Sequence, residues 1–213
     1  LECSNLVDSD STLTLQDRSS GVDYIINCEA RVFGDLVIQP GVTIQFGSNG
    51  ALEIRDGGSM EAIGTQNDPI TFTGEDKVAG AWGYIAFESD DVKNRMEFCI
   101  VEYGGSFAYS SNGDQGNVIM LAQSRLSMAN CTLRHSEEYG LRIPSHDTEL
   151  PEFDNNVITA CNIPAVIPAN LVQFISGGSY LGNTNDYILI ETAGFANSAT
   201  ISGADERWEA LDA

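Results

Sequence analysis

The sequence predicts an all-β chain wound into a solenoid of stacked coils, and three observations carry that prediction. Residues 41–74, GVTIQFGSNGALEIRDGGSMEAIGTQNDPITFTG, hold the short segments VTIQF, ALEI, SMEAI and ITFT, each closed by Gly, Asn or Asp-Pro. A helix needs about ten or more residues without such punctuation, so these segments read as strands. Short apolar strands then begin at Tyr84, Val118, Leu141, Ala165 and Tyr187, at spacings of 34, 23, 24 and 22 residues. A second phrase, apolar-x-x-Cys-x-apolar, recurs as Met96-Cys99-Val101, Met128-Cys131-Leu133 and Ile158-Cys161-Ile163, at spacings of 32 and 30. Repeats of this length with strand chemistry mean stacked β coils.

Taken in order, residues 1–35 carry TLTL and VDYIIN around the polar turn DRSSG and are expected to form an irregular capping coil over the open end of the core. Residues 36–190 supply the coils. The polar stretch EDKVAGAWG interrupts them, and a second repeat register is expected to begin at Gly83. The insertion at residues 103–117, YGGSFAYSSNGDQGN, accounts for the long coil. Residues 191–213 are either a closing cap, with Trp208 as its plug, or the boundary to a further repeat block, in which case Trp208, Leu211 and Asp212 open that block.

The phrase built from Leu36, Ile38, Pro40, Gly41, Val42, Ile44, Phe46, Gly64, Thr65, Pro69, Ile70, Phe72 and Gly74 resembles one family. It is similar to the secreted right-handed parallel β-helix repeat proteins of the Bacteroidetes and environmental-bacteria type, which share the pectate-lyase-like superfold. The resemblance covers about residues 22–213 and implies a right-handed single-stranded parallel β-helix, with 22–34 residues per coil here, and export to a secreted or cell-surface location. Its phrases are specific to the fold and not to an activity. No residue matches a catalytic motif that it would carry over.

Acidic residues outnumber basic ones 31 to 10, lysine occurs only as Lys77 and Lys93, and the net charge is −21. Such a field repels nucleic acid, anionic membranes and polyanionic substrates. No run is long and apolar enough to span a bilayer, and no stretch has the layout of an export signal, so an exported chain is expected in its processed form.

The five cysteines divide into two groups. Cys3 and Cys28 flank the N-terminal segment and are the candidate disulfide pair. Cys99, Cys131 and Cys161 are expected to stack inside the core as a ladder of small apolar thiols, about 4.8 Å apart. A zinc site is not expected, since no CxxC or His pair occurs at zinc spacing.

The candidate ligand-binding residues follow from the same repeat. Glu102 and Arg134 lie three residues after their cysteines and are expected to pair across adjacent coils. Tyr103 and His135, one residue further on, form either a sugar-stacking patch or a plain strand end. Phe107 and Tyr109 in the insertion are aromatic faces on a surface loop, a platform for a sugar ring. No cofactor is expected; calcium is the alternative, with Asp114 and the loop carboxylates Asp147, Glu149 and Asp154 as candidate ligands, against the simpler reading of a solvated acidic loop.

The function expected from these features is a non-catalytic extracellular or cell-surface module, a scaffold or adhesin whose partner is an extracellular glycan or a neighbouring surface protein. The first alternative is a polysaccharide lyase or glycoside hydrolase. A lyase would draw on Arg125, Arg134 or Arg142. A hydrolase would draw on Asp90, Asp91, Glu97 and Glu102 or on the 147–154 carboxylates. The second is a filament subunit that associates head to tail through its exposed strand edges. Fold alone licenses none of these. Ice binding is set aside for want of regular outward rows of Thr.

Overall fold

The computed structural model describes residues 4–19, 21–110, 113–191 and 199–202. Each coil contributes three short strands, met in chain order. Coil one holds β1 (Ser4–Val7), β2 (Thr12–Leu15) and β3 (Tyr24–Ile26), and coil two β4 (Glu29–Val32), β5 (Asp35–Ile38) and β6 (Thr43–Phe46). Coil three holds β7 (Ala51–Ile54), β8 (Ser59–Ile63) and β9 (Ile70–Gly74), and coil four β10 (Ile85–Phe87), β11 (Arg95–Glu97) and β12 (Cys99–Glu102). Coil five holds β13 (Val118–Met120), β14 (Arg125–Ala129) and β15 (Thr132–Arg134), and coil six β16 (Tyr139–Arg142), β17 (Glu149–Asp154) and β18 (Val157–Thr159). The chain then runs through β19 (Ile163–Pro168), a 3-10 turn at Ala169–Phe174, β20 (Ile175–Ser176), β21 (Tyr187–Glu191) and β22 (Ala199–Ser202).

First, second and third strands of successive coils pair in parallel, giving, among the described residues, sheets A, B and C of nine, seven and six strands, of which only β22 joins antiparallel, at the edge of sheet A. The chain is therefore a parallel β-helix. Period-2 alternation explains which side chains fill it. Ala30, Leu52, Ile85, Val118, Leu141, Ala165 and Ile188 follow one another in register inside sheet A, and all are buried. Their spacings run from 22 to 33 residues per coil.

One expectation about the repeat is corrected. No second register starts at Gly83, because β10 pairs directly with β7, matching Ile85 to Leu52. The stretch before it is a detour that returns to the core: Trp82 is fully buried, its ring stacks on Phe46 at 4.1 Å and 9°, and its indole N–H donates to the Glu102 carbonyl at 2.8 Å. The described residues before position 35 form the first coil and the start of the second. β1, β2 and β3 are the terminal strands of the three sheets, and position 35 falls inside coil two.

At the other end, β22 occupies the edge of sheet A beyond β21, the edge that a following copy would need for head-to-tail stacking. Trp208, Leu211 and Asp212 lie outside the described residues, as does Cys3; Cys28 is disulfide-bonded. No helix among the described residues is long and apolar enough to cross a membrane.

In coils four to six the bend from sheet B to sheet C is made by one left-handed residue each: Phe98, Asn130 and Asn155, with φ of 48°, 54° and 52°. Asn tolerates this region, whereas a bulky Phe does so at a cost. The next bend, from sheet C toward sheet A, repeats the device at Tyr103, His135 and Ala160, with φ of 68°, 54° and 55°. That second corner carries the candidate site.

Candidate functional site

Register places the corner residues one above another. Val101 pairs with Leu133 and Leu133 with Ile158, so Tyr103, His135 and Ala160 occupy successive rungs. The Tyr103 and His135 rings are stacked, with centroids 5.0 Å apart and planes 6° apart. Lys77 Nζ lies 5.5 Å from the centre of the Tyr103 ring and donates to Thr73 Oγ1 and the Gly74 carbonyl, both on the preceding coil. Both faces of Tyr103 are thus covered, by an ammonium and by an imidazole. Asn117, fully buried, holds the corner in place: its amide donates to the carbonyls of Val101 and Arg134 and accepts from the Gly104 N–H.

Glu102 and Arg134 pair as expected. Arg134 Nε and Nη2 lie 2.7 and 2.6 Å from Glu102 Oε2, and Thr73 Oγ1 donates to Oε1 at 2.8 Å. The Glu102 side chain is only 9% exposed and that of Arg134 41%. Arg134 therefore neutralises a buried carboxylate and presents the rest of its guanidinium to solvent beside His135.

The aromatic platform expected in the insertion is corrected. Phe107 and Tyr109 are half-buried and pack edge-on against Tyr84 at 5.4 and 5.5 Å, so they pin the loop to the outer face of sheet A. Gly83 makes room for this docking, since a Cβ there would lie 2.5 Å from the Phe107 ring. Tyr109 OH also accepts from Arg55 Nη1 at 3.0 Å.

The carboxylates weighed as calcium ligands do not come together. Asp114 is buried, lies 3.2 Å from Arg142 Nε and accepts from Ser110 Oγ. Glu149 pairs with Arg125, Asp147 accepts from Ser145 Oγ and the Gln123 N–H, and Asp154 accepts from Ser176 Oγ. The bond from Ser145 holds the Asp147 carboxyl below its ordinary value. Among the described residues no group of three or more His, Cys, Asp or Glu side chains is placed to hold a metal ion. These residues do not fit a calcium site.

The thiol ladder has two rungs and not three. Cys99 and Cys131 are in register, whereas Leu133 pairs with Ile158, which puts Asn156 at the next rung and moves Cys161 around the corner. The third sequence match was slipped by five residues. Asn156 is fully buried and closes the ladder, accepting from the Cys131 N–H at 2.9 Å and donating to the Met128 carbonyl at 3.0 Å. All three thiols are free and buried. Burial raises those of Cys99, which also faces Cys131, and of Cys161, the latter to about 11.

No protein-family model, curated protein or solved structure matches the chain.

One cluster went unnoticed in the sequence. Glu53, 4% exposed on the outer face of sheet A, accepts from Arg31 Nε at 3.0 Å, Arg55 Nη1 at 3.3 Å and Tyr84 OH at 3.2 Å. Arg55 Nη1 also meets Glu88 Oε1 at 2.7 Å, and burial raises the Glu88 carboxyl in spite of it. Alternation alone marks Glu53 as outward-facing. The pairings of β4 and β10 with β7 bring it Arg31, 22 positions away, and Tyr84, 31 positions away.

Chemically, the Tyr103–His135 corner offers a stacking surface beside hydrogen-bond donors. The basic residues weighed for a lyase are all engaged: Arg125 by Glu149, Arg134 by Glu102, Arg142 by Asp114 and Glu191. Of the hydrolase carboxylates, Glu97 lies on sheet B beside Arg95 while Glu102 is buried on sheet C.

Proposed function

We propose that this chain is a non-catalytic extracellular or cell-surface β-helical module, a rigid scaffold that binds glycan at the corner formed by Tyr103, His135 and Arg134. The observation that carries the reading is the parallel Tyr103–His135 stack, held from behind by Asn117 and flanked by the part-exposed Arg134 guanidinium. Aromatic rings beside fixed polar groups on a rigid framework suit a sugar, which has apolar faces and a hydroxylated rim. The disulfide at Cys28 supports an oxidising, extracellular setting. The resemblance to secreted β-helix repeat proteins supports export as well.

A glycan-array screen of the purified protein, with and without calcium, tests the reading, with a reducing-end and unsaturated-product assay on each hit. Binding without product, unchanged by calcium and lost in His135→Ala, is the expected result. Product formation would overturn it in favour of the lyase or hydrolase, and an array without hits would leave scaffolding alone.

A further inference from the structure

The corner ladder shrinks along the helix axis. Its rungs run from Tyr103 through His135 to Ala160, all in the left-handed conformation, and Gly182 (φ +85) follows, its carbonyl accepting from the Ala160 N–H at 2.9 Å. The backbone therefore keeps the geometry that stacks one ring on the next, while the side chains dwindle to a methyl and then to hydrogen. Tyr103 covers one face of the His135 imidazole. The opposite face looks over Ala160, which is exposed, as is Gly182. A Cβ at Gly182 would fall 2.7 Å from Thr159 Oγ1, so the floor of this step is backbone lying close against Thr159.

The edges of the step are distinct in character. Thr159 sits next to Arg134 in the outward row of sheet C. Leu181 is 45% exposed and supplies an apolar flank. On the inner side the Asn162 amide is held by Glu138 at 3.1 Å and by Asn185. Arg134 is already neutralised by Glu102, and Glu138 and Asp186 lie close in a chain of net charge −21. The surroundings disfavour a carboxylated ligand.

We infer that the step over Ala160, beneath the free face of His135, is a subsite for one neutral pyranose ring, which completes the ladder by stacking on the imidazole. The inference rests on the glycan-binding reading above and narrows it to a sugar class and a place. The ring spacing set by the coils, 5.0 Å between Tyr103 and His135, is the spacing at which a further ring would stack. The hydroxyls at its rim would meet Thr159 and Arg134.

The test is an NMR titration with methyl glucopyranoside, methyl galactopyranoside and methyl glucuronide on the wild type, His135→Ala and Ala160→Asn. Asn tolerates the left-handed conformation, so Ala160→Asn fills the rung without breaking the corner, and circular dichroism checks both variants. The expected result is shifts centred on His135, Thr159 and Ala160, affinity about tenfold lower in each variant, and the neutral glycosides preferred over the glucuronide. Shifts centred elsewhere, unchanged affinity in both variants, or a preferred glucuronide would overturn the subsite. So would a wild type that binds array glycans but none of these monosaccharides, and in each of these cases the glycan-binding reading stands. An array without hits would instead remove that reading, and the subsite with it.

Discussion

Glu102 and Arg134, 32 residues apart in the chain, sit side by side on adjacent coils, with both Nε and Nη2 of the arginine on one carboxylate oxygen. The carboxylate is buried and also accepts from Thr73, so the arginine stabilises the corner by removing an unpaired charge and does not serve as a free ligand cation.

Arg134→Ala is therefore expected to lower the unfolding free energy by about 1–2 kcal/mol, with the partial exposure of the arginine moderating the loss. Adding Glu102→Gln should recover part of it. Urea unfolding of the single and double variants checks this; strictly additive losses would refute the coupling.

Gly83→Ala drives a Cβ into the Phe107 ring and also approaches the Gly50 carbonyl at 3.0 Å. The insertion is expected to lift from sheet A at a cost of about 1–3 kcal/mol. Limited proteolysis should then cut near Gly113 well before the coils are lost. A cleavage rate equal to that of the wild type would contradict the docking.

Asn156→Ala removes both bonds that close the thiol ladder and leaves the Cys131 N–H and the Met128 carbonyl buried without them. A loss of about 2–3 kcal/mol is expected, read from the denaturation midpoint. A loss below about 0.5 kcal/mol would mean that those backbone groups find other partners.

The Cys161 thiol is raised from 9.0 to about 11 by burial. The folded chain thus holds this proton more tightly than the unfolded chain does. Its contribution is complete below pH 9.0 and is lost as the pH climbs toward about 11, amounting to about 2–3 kcal/mol. Stability measured across that window should fall more steeply in the wild type than in Cys161→Ala. Parallel profiles would rule the effect out.

Much of the fold was legible because a strand advertises itself locally. TIQF, ALEI, SMEAI and ITFTG alternate or end in Gly, and each is a strand where expected. The Glu102–Arg134 pairing was legible too, because both residues follow a cysteine at the same offset within coils that match. The third cysteine phrase misled because coil six makes its bend through two asparagines, Asn155 and Asn156, so a match of residue types was not a match of position. The outward row Thr43, Thr71, Ile100, Thr132 and Val157 on sheet C, three of whose members are Thr, was hidden in the same way.

The order of amino acids is enough to specify the coil. Apolar side chains at every second position, broken by Gly, Asn and Asp, specify short strands with one buried face, and their recurrence specifies stacking. Which side chains share a rung is set by the stacking of coil on coil. Coils of 22 and 33 residues stack equally well, because insertions such as those carrying Trp82 and Phe107 leave through one corner and return to the same register. Neighbours along the helix axis are thus fixed by backbone hydrogen bonds between coils, and no constant offset in the chain encodes them. The ring stack of Tyr103 on His135, and the step left open at Ala160, exist only in that register.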